Sequence, residues 1–163
     1  MESPVLPAEG APAPDFSLTD DLGILHRLGD QRGRGTWTVL YFYPEDDTAG
    51  CTLEACEFRD ADADVRAAGA QVWGVSPQGQ GSKQAFRRKF ALPFILLVDE
   101  EHRVAERYGA WVEKQRDGRS VWGVARTTFL IDPEGRVARV WHKVRPEGHA
   151  AEVLEALASV QRA

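Results

Sequence analysis

The run Trp37-Thr38-Val39-Leu40-Tyr41-Phe42-Tyr43, stopped by Pro44, constrains this chain more than any other stretch. It is rich in β-branched and aromatic side chains and lacks clean polar–apolar alternation. That pattern predicts a central strand covered on both faces. Such a strand needs neighbours on each side, and the chain downstream supplies them. Phe58, Ala61, Val65 and Ala68 recur three or four residues apart and predict a helix from about Thr48 to Ala68, with Gly69 as its stop.

The alternation then repeats. Gln71–Ser76 reads as a strand, Lys83–Phe90 as a helix, Phe94–Val98 as a strand and His102–Tyr108 as a short helix. Val124–Ile131 and Val137–Val144 read as two strands joined by a turn at Asp132-Pro133-Glu134-Gly135, and Ala150–Val160 as a closing helix. Before the central strand, Phe16–Thr19 and Ile24–Leu28 flank the turn Asp20-Asp21-Leu22-Gly23 and suggest a short β-hairpin. Residues 1–14 are an extended lead-in, and Gln31–Gly35 a loop. Strand–helix repeats imply parallel pairing, and the late strand–turn–strand an antiparallel pair. The expected class is α/β: a mixed central sheet flanked by helices, with an N-terminal β-hairpin, in a single domain over 1–163.

Charge narrows the partners. The net charge is −5, and no basic block gives an electrostatic reason to expect nucleic acid or an anionic membrane. No apolar run approaches the roughly 20 residues of a membrane span. Met1-Glu2-Ser3-Pro4-Val5-Leu6-Pro7 has no basic flank or apolar stretch of a secretory signal, so a cytoplasmic, reducing setting is expected. Two cysteines there are more often thiols with a chemical or packing role than a structural bridge.

Both lie where the buried strand hands over to a helix, at the carboxyl end of the sheet, in Pro44-Glu45-Asp46-Asp47-Thr48-Ala49-Gly50-Cys51-Thr52-Leu53-Glu54-Ala55-Cys56. With Thr48 as N-cap, Cys51 falls at the third helical position, among free backbone amides at the positive end of the helix dipole. That setting favours thiolate, the species that attacks peroxide oxygen. A small apolar cysteine packing the first turn is the plainer alternative. Cys56 lies five positions on. In an intact helix the two Cα atoms are roughly 8–9 Å apart and about 140° around the axis. A disulfide needs about 7 Å or less. A bridge between them therefore requires the first turn or two to unwind.

These residues resemble the active-site signature of the peroxiredoxins, Pro-x-x-x-Thr-x-x-Cys, here Pro44, Thr48 and Cys51. The C-x4-C spacing is similar to the bacterioferritin comigratory protein or peroxiredoxin Q subgroup. Tyr41-Phe42-Tyr43-Pro44, Gly50-Cys51-Thr52, Phe58-Arg59-Asp60, Tyr108-Gly109-Ala110-Trp111 and Arg126-Thr127-Thr128-Phe129-Leu130-Ile131-Asp132 resemble family segments in order, from about residue 8 to 160. The resemblance implies a thioredoxin-like fold and reduction of hydrogen peroxide and organic hydroperoxides, an antioxidant activity. Electrons would come from thioredoxin or a similar thiol donor, with no cofactor or metal. It implies Cys51 as the peroxidatic residue and Cys56 as the resolving one, joined as an intramolecular disulfide. Thr48 would hydrogen-bond the peroxide, Pro44 would shield the sulfur, and Arg126 would stabilise the thiolate and the developing negative oxygen. Members of this subgroup are often monomers, and a monomer is expected.

Two features depart from the family pattern: Ala49 stands where Pro is common, and Glu45-Asp46-Asp47 replaces a site often basic. These acids would oppose a thiolate unless they point into screened solvent, which is the expectation. His26, His102, His142 and His149 show no metal-ligand spacing and read as surface or pairing residues. Two other functions compete. A thiol–disulfide oxidoreductase would more naturally use C-x-x-C. A copper-delivery protein on the same fold would need a closer cysteine pair, a positioned His and an export signal.

Overall fold

A computed structural model describes residues 5–162. The chain forms β1 (Ser17–Thr19), β2 (Leu25–Arg27), a 3-10 turn at Leu28–Gln31 and β3 (Trp37–Phe42). Then follow α1 (Ala49–Ala67), β4 (Ala70–Ser76), α2 (Gln80–Phe90), β5 (Ile95–Val98) and α3 (Arg103–Arg107). The last elements are β6 (Trp111–Arg116), β7 (Arg119–Val124), β8 (Thr127–Ile131), β9 (Val137–His142) and α4 (His149–Arg162).

The Trp37–Phe42 run is the middle strand of a five-stranded sheet ordered β5-β4-β3-β8-β9. It pairs in parallel with β4 and antiparallel with β8. The mixed sheet follows from connection length: helices cross over between β3, β4 and β5, while β8 and β9 join through the Asp132–Gly135 turn. Successive β3 side chains alternate faces. Val39, Tyr41 and Tyr43 face α1, α2 and α4, against Phe58, Phe86, Val153 and Leu157. Leu40 and Phe42 face the other way, against Phe16, Val104, Tyr108 and Phe129. Both faces are dry, so the run needs no polar alternation.

Helix α1 follows its sequence pattern. Phe58 and Val65 are buried, and Gly69 ends the helix at φ 76, a conformation that penalises any Cβ. Residues 1–4 of the lead-in lie outside the described residues. The rest is tied down: Gly10 and Ala13 donate to Val137 and Gly135.

The segment after α3 differs from expectation. In place of a strand running from Val124 to Ile131, the chain makes the separate β6–β7 hairpin, breaks at Ala125-Arg126, and resumes as β8. The hairpin turn is Asp117-Gly118, with φ 53 and 76, which fits a type I′ turn. Its polar, mostly exposed strands carry little apolar periodicity, so only the Asp-Gly pair signals it. The break matters because it frees Arg126 from the sheet ladder.

Candidate active site

The site forms where β3 ends and α1 begins. Thr48 is the N-cap of α1 with an extended backbone, which puts Cys51 at the third helical position, as the spacing predicted. The Thr48 side chain makes no cap bond. Its Oγ1 donates to the Glu45 carbonyl at 2.9 Å, leaving the oxygen lone pairs to accept. The amides of Ala49, Gly50 and Cys51 have no carbonyl of their own helix to bond. Cys51 is buried, 2% exposed, and Cys56 is half-buried further along the same unbroken helix. Both are free thiols.

Arg126 reaches this sulfur from the break before β8. Its Nη2 lies 3.4 Å from Cys51 Sγ, and its Nη1 donates to Glu54 Oε1 at 2.8 Å. Gly50 makes the approach possible: a Cβ there would sit 3.1 Å from Arg126 Nη2. Burial acts against the charge on Arg126, but Glu54 and Cys51 outweigh it and hold the guanidinium above its ordinary value. Pro44, Thr48, Cys51 and Arg126 thus come from the β3–α1 turn, the first turn of α1 and the β7–β8 break. The contact of Arg126 with Cys51 depends on β3 and β8 being neighbours.

Glu54 is the residue that sequence reasoning passed over. It is 1% exposed, and its Oε2 has no partner among the described residues. A carboxylate three positions from Cys51 lies on the same helix face, so its burial and its need for a cation were readable from spacing. Burial pushes Glu54 up to about 7, against the pull of Arg126. A folded-state value raised above the unfolded one means stability is full below the unfolded value, 4.5, and falls as pH climbs through about 7. Chemical denaturation should show wild type losing on the order of 3 kcal/mol between pH 4.5 and pH 8 relative to Glu54→Gln. The comparison cancels other groups that titrate in this window.

One expectation fails here. Asp46 does not point into solvent. Its side chain is 2% exposed and lies 3.3 Å from Lys83 Nζ, because a pocket of donors awaits it. Asp47 does face outward, bonded to exposed Lys89. Of the two readings given for the histidines, surface or pairing, His149 takes the second. It is fully buried at the start of α4, bonded to Thr128 Oγ1 at 2.8 Å and edge-on to Phe58 and Trp141. Its burial lowers it from the ordinary value. Among the described residues no group of acids, His and Cys could hold a metal, and no helix is long and apolar enough to cross a membrane.

A buried thiol at a helix start beside the central strand of a mixed sheet, contacted by a fixed guanidinium, defines a thiol-redox protein of thioredoxin-like fold. Comparison specifies it. Residues 10–140 match the model of the AhpC/TSA family. The chain is 47% identical to the putative peroxiredoxin bcp of Coxiella burnetii over 89% of its own length and 95% of the relative's. It is 45% identical to peroxiredoxin Bcp of Bacillus subtilis over 91% and 93%. Among solved structures, peroxiredoxin Q of Xanthomonas campestris superposes with a TM-score of 0.85 at 35% identity, covering 97% of this chain and 98% of that one. The chain belongs to the AhpC/TSA family and within it to the Bcp or peroxiredoxin Q type, a thiol peroxidase. That membership selects peroxide reduction over the oxidoreductase and copper-delivery alternatives.

Proposed function

We propose that Cys51 is the peroxide-attacking nucleophile and Cys56 its resolving partner. The contact of Arg126 Nη2 with Cys51 Sγ carries this reading, since a fixed cation on a thiol at a helix start suits an anionic sulfur. The thiolate attacks one peroxide oxygen and the O–O bond breaks. One proton is taken up by the leaving oxygen, giving the sulfenic acid and an alcohol or water. Arg126 lies where that departing oxygen gains charge. Thr48 Oγ1 already spends its proton on Glu45, so it accepts from the peroxide O–H. Pro44 shields the sulfur.

The Cys56 thiol then displaces water from the sulfenic acid, forming the disulfide. A dithiol donor such as thioredoxin supplies two electrons and two protons to restore both thiols. Both cysteines lie on continuous helix, so the start of α1 must unwind for the bridge to close. Hydrogen peroxide and organic hydroperoxides are the substrates, and a monomeric, cytoplasmic enzyme fits the sequence. The structure of the Xanthomonas campestris bacterioferritin comigratory protein, studied for alkyl peroxide reduction, supports the organic substrate.

Mass spectrometry of peroxide-treated protein with a sulfenic-acid trap tests the order of events. Oxidation should begin at Cys51 and a Cys51–Cys56 bridge should follow. Cys56→Ser should consume about one equivalent of peroxide and then turn over poorly with thioredoxin. Trapping that begins at Cys56 would reverse the roles.

A further inference from the structure

Lys83 has no exposed surface, and the peroxide chemistry does not use it. A buried ammonium is costly unless paired, and its partner is informative. Nζ lies 3.3 and 3.4 Å from the two oxygens of Asp46 and donates to Ser76 Oγ at the end of β4. Asp46 also accepts from Tyr43 OH at 2.5 Å and from Ser82 Oγ at 2.8 Å. Burial pulls Lys83 down to about 8, with Asp46 pulling the other way.

Asp46 sits in the turn between β3 and α1, two residues after Pro44 and two before Thr48. The Gln78 side chain closes the same turn: its Oε1 accepts from Asp46 N and its Nε2 donates to the Pro44 carbonyl, each at 3.1 Å. The anchors come from Tyr43 just past β3, the end of β4, the β4–α2 loop and α2. None comes from α1, the element that must unwind for Cys51 to meet Cys56.

We propose that the Lys83–Asp46 pair is a positioning device for the peroxide pocket, holding the Pro44–Thr48 turn at one place while the first turns of α1 melt and reform. It rests on Cys51 as the attacking thiol. Lys83 and Asp46 touch neither sulfur nor peroxide in this role; they act through Pro44 and Thr48. A misplacement of about 1 Å in a reacting geometry can slow a step about a hundredfold.

The test separates the two chemical steps. Cys51 oxidation by hydrogen peroxide and the disulfide formation that follows are timed by quench-flow mass spectrometry on the folded fraction, for wild type, Lys83→Met and Asp46→Asn. Oxidation should slow about tenfold or more, while bridge formation should stay within about threefold, since the anchors lie outside the melting helix. A smaller effect on oxidation, or equal slowing of both steps, overturns the proposal. A merely structural pair would lower the melting temperature and leave the rate constants of folded molecules unchanged. Should Lys83→Met not fold, Asp46→Asn and Ser82→Ala carry the same comparison. Wild type that shows no oxidation at Cys51 would overturn the parent reading instead.

Discussion

Cys51→Ser should lower peroxide reduction by at least about a thousandfold, the loss expected on removing the proposed nucleophile. Serine keeps the size and the helix-start position but not the chemistry. Its hydroxyl stays protonated at neutral pH and has no neighbouring base among its contacts to activate it. Nor can oxygen take up a peroxide oxygen to give a stable, reducible acid, as sulfur does. The fold should survive, because Cys51 contributes little volume beside Phe58, Tyr41 and Leu130 in the same cluster. A melting temperature near wild type would show that the lost activity is chemical. Thioredoxin-dependent turnover at the wild-type rate in this variant would remove Cys51 from the mechanism.

Arg126→Met should cost about 10²–10³-fold in the rate of Cys51 oxidation, about 3–4 kcal/mol, the usual effect of deleting a fixed donor to a developing negative charge. It should also destabilise the protein, since Glu54 would keep its burial and lose its cation. The two effects separate in Arg126→Met/Glu54→Gln, which should recover much of the melting temperature and little of the rate. Arg126→Lys should stay well below wild type. One ammonium cannot reach Cys51 Sγ and Glu54 Oε1 together in the fork geometry that Nη1 and Nη2 provide. Stopped-flow oxidation rates at fixed pH check the series. An Arg126→Met rate within threefold of wild type would remove Arg126 from the oxidation step.

Much of this molecule is legible in its sequence. The central strand, the α1 helix with its Gly69 stop, the N-terminal hairpin and the Asp132–Gly135 turn all rest on local signals: burial pattern, helical spacing and turn residues. Thr48 as N-cap and Cys51 at the third helical position followed from the same local counting. The β6–β7 hairpin was missed because polar strands that pack on little else leave no apolar period to read. Asp46 was misplaced for a related reason. A polar side chain is expected in solvent unless its partners are known, and its partner, Lys83, stands 37 residues away.

The sequence by itself therefore determined that Cys51 stands at a helix start and that any bridge to Cys56 would require that helix to unwind. These are properties of a few consecutive residues and of helix geometry. Only the tertiary structure decided what surrounds the sulfur. It seats Arg126 beside Cys51, pairs that guanidinium with a buried Glu54, and converts an acidic run into an anchored turn by bringing Lys83 beneath it. Electrostatics acts through space, and the sheet order β4-β3-β8 decides which distant charges become neighbours.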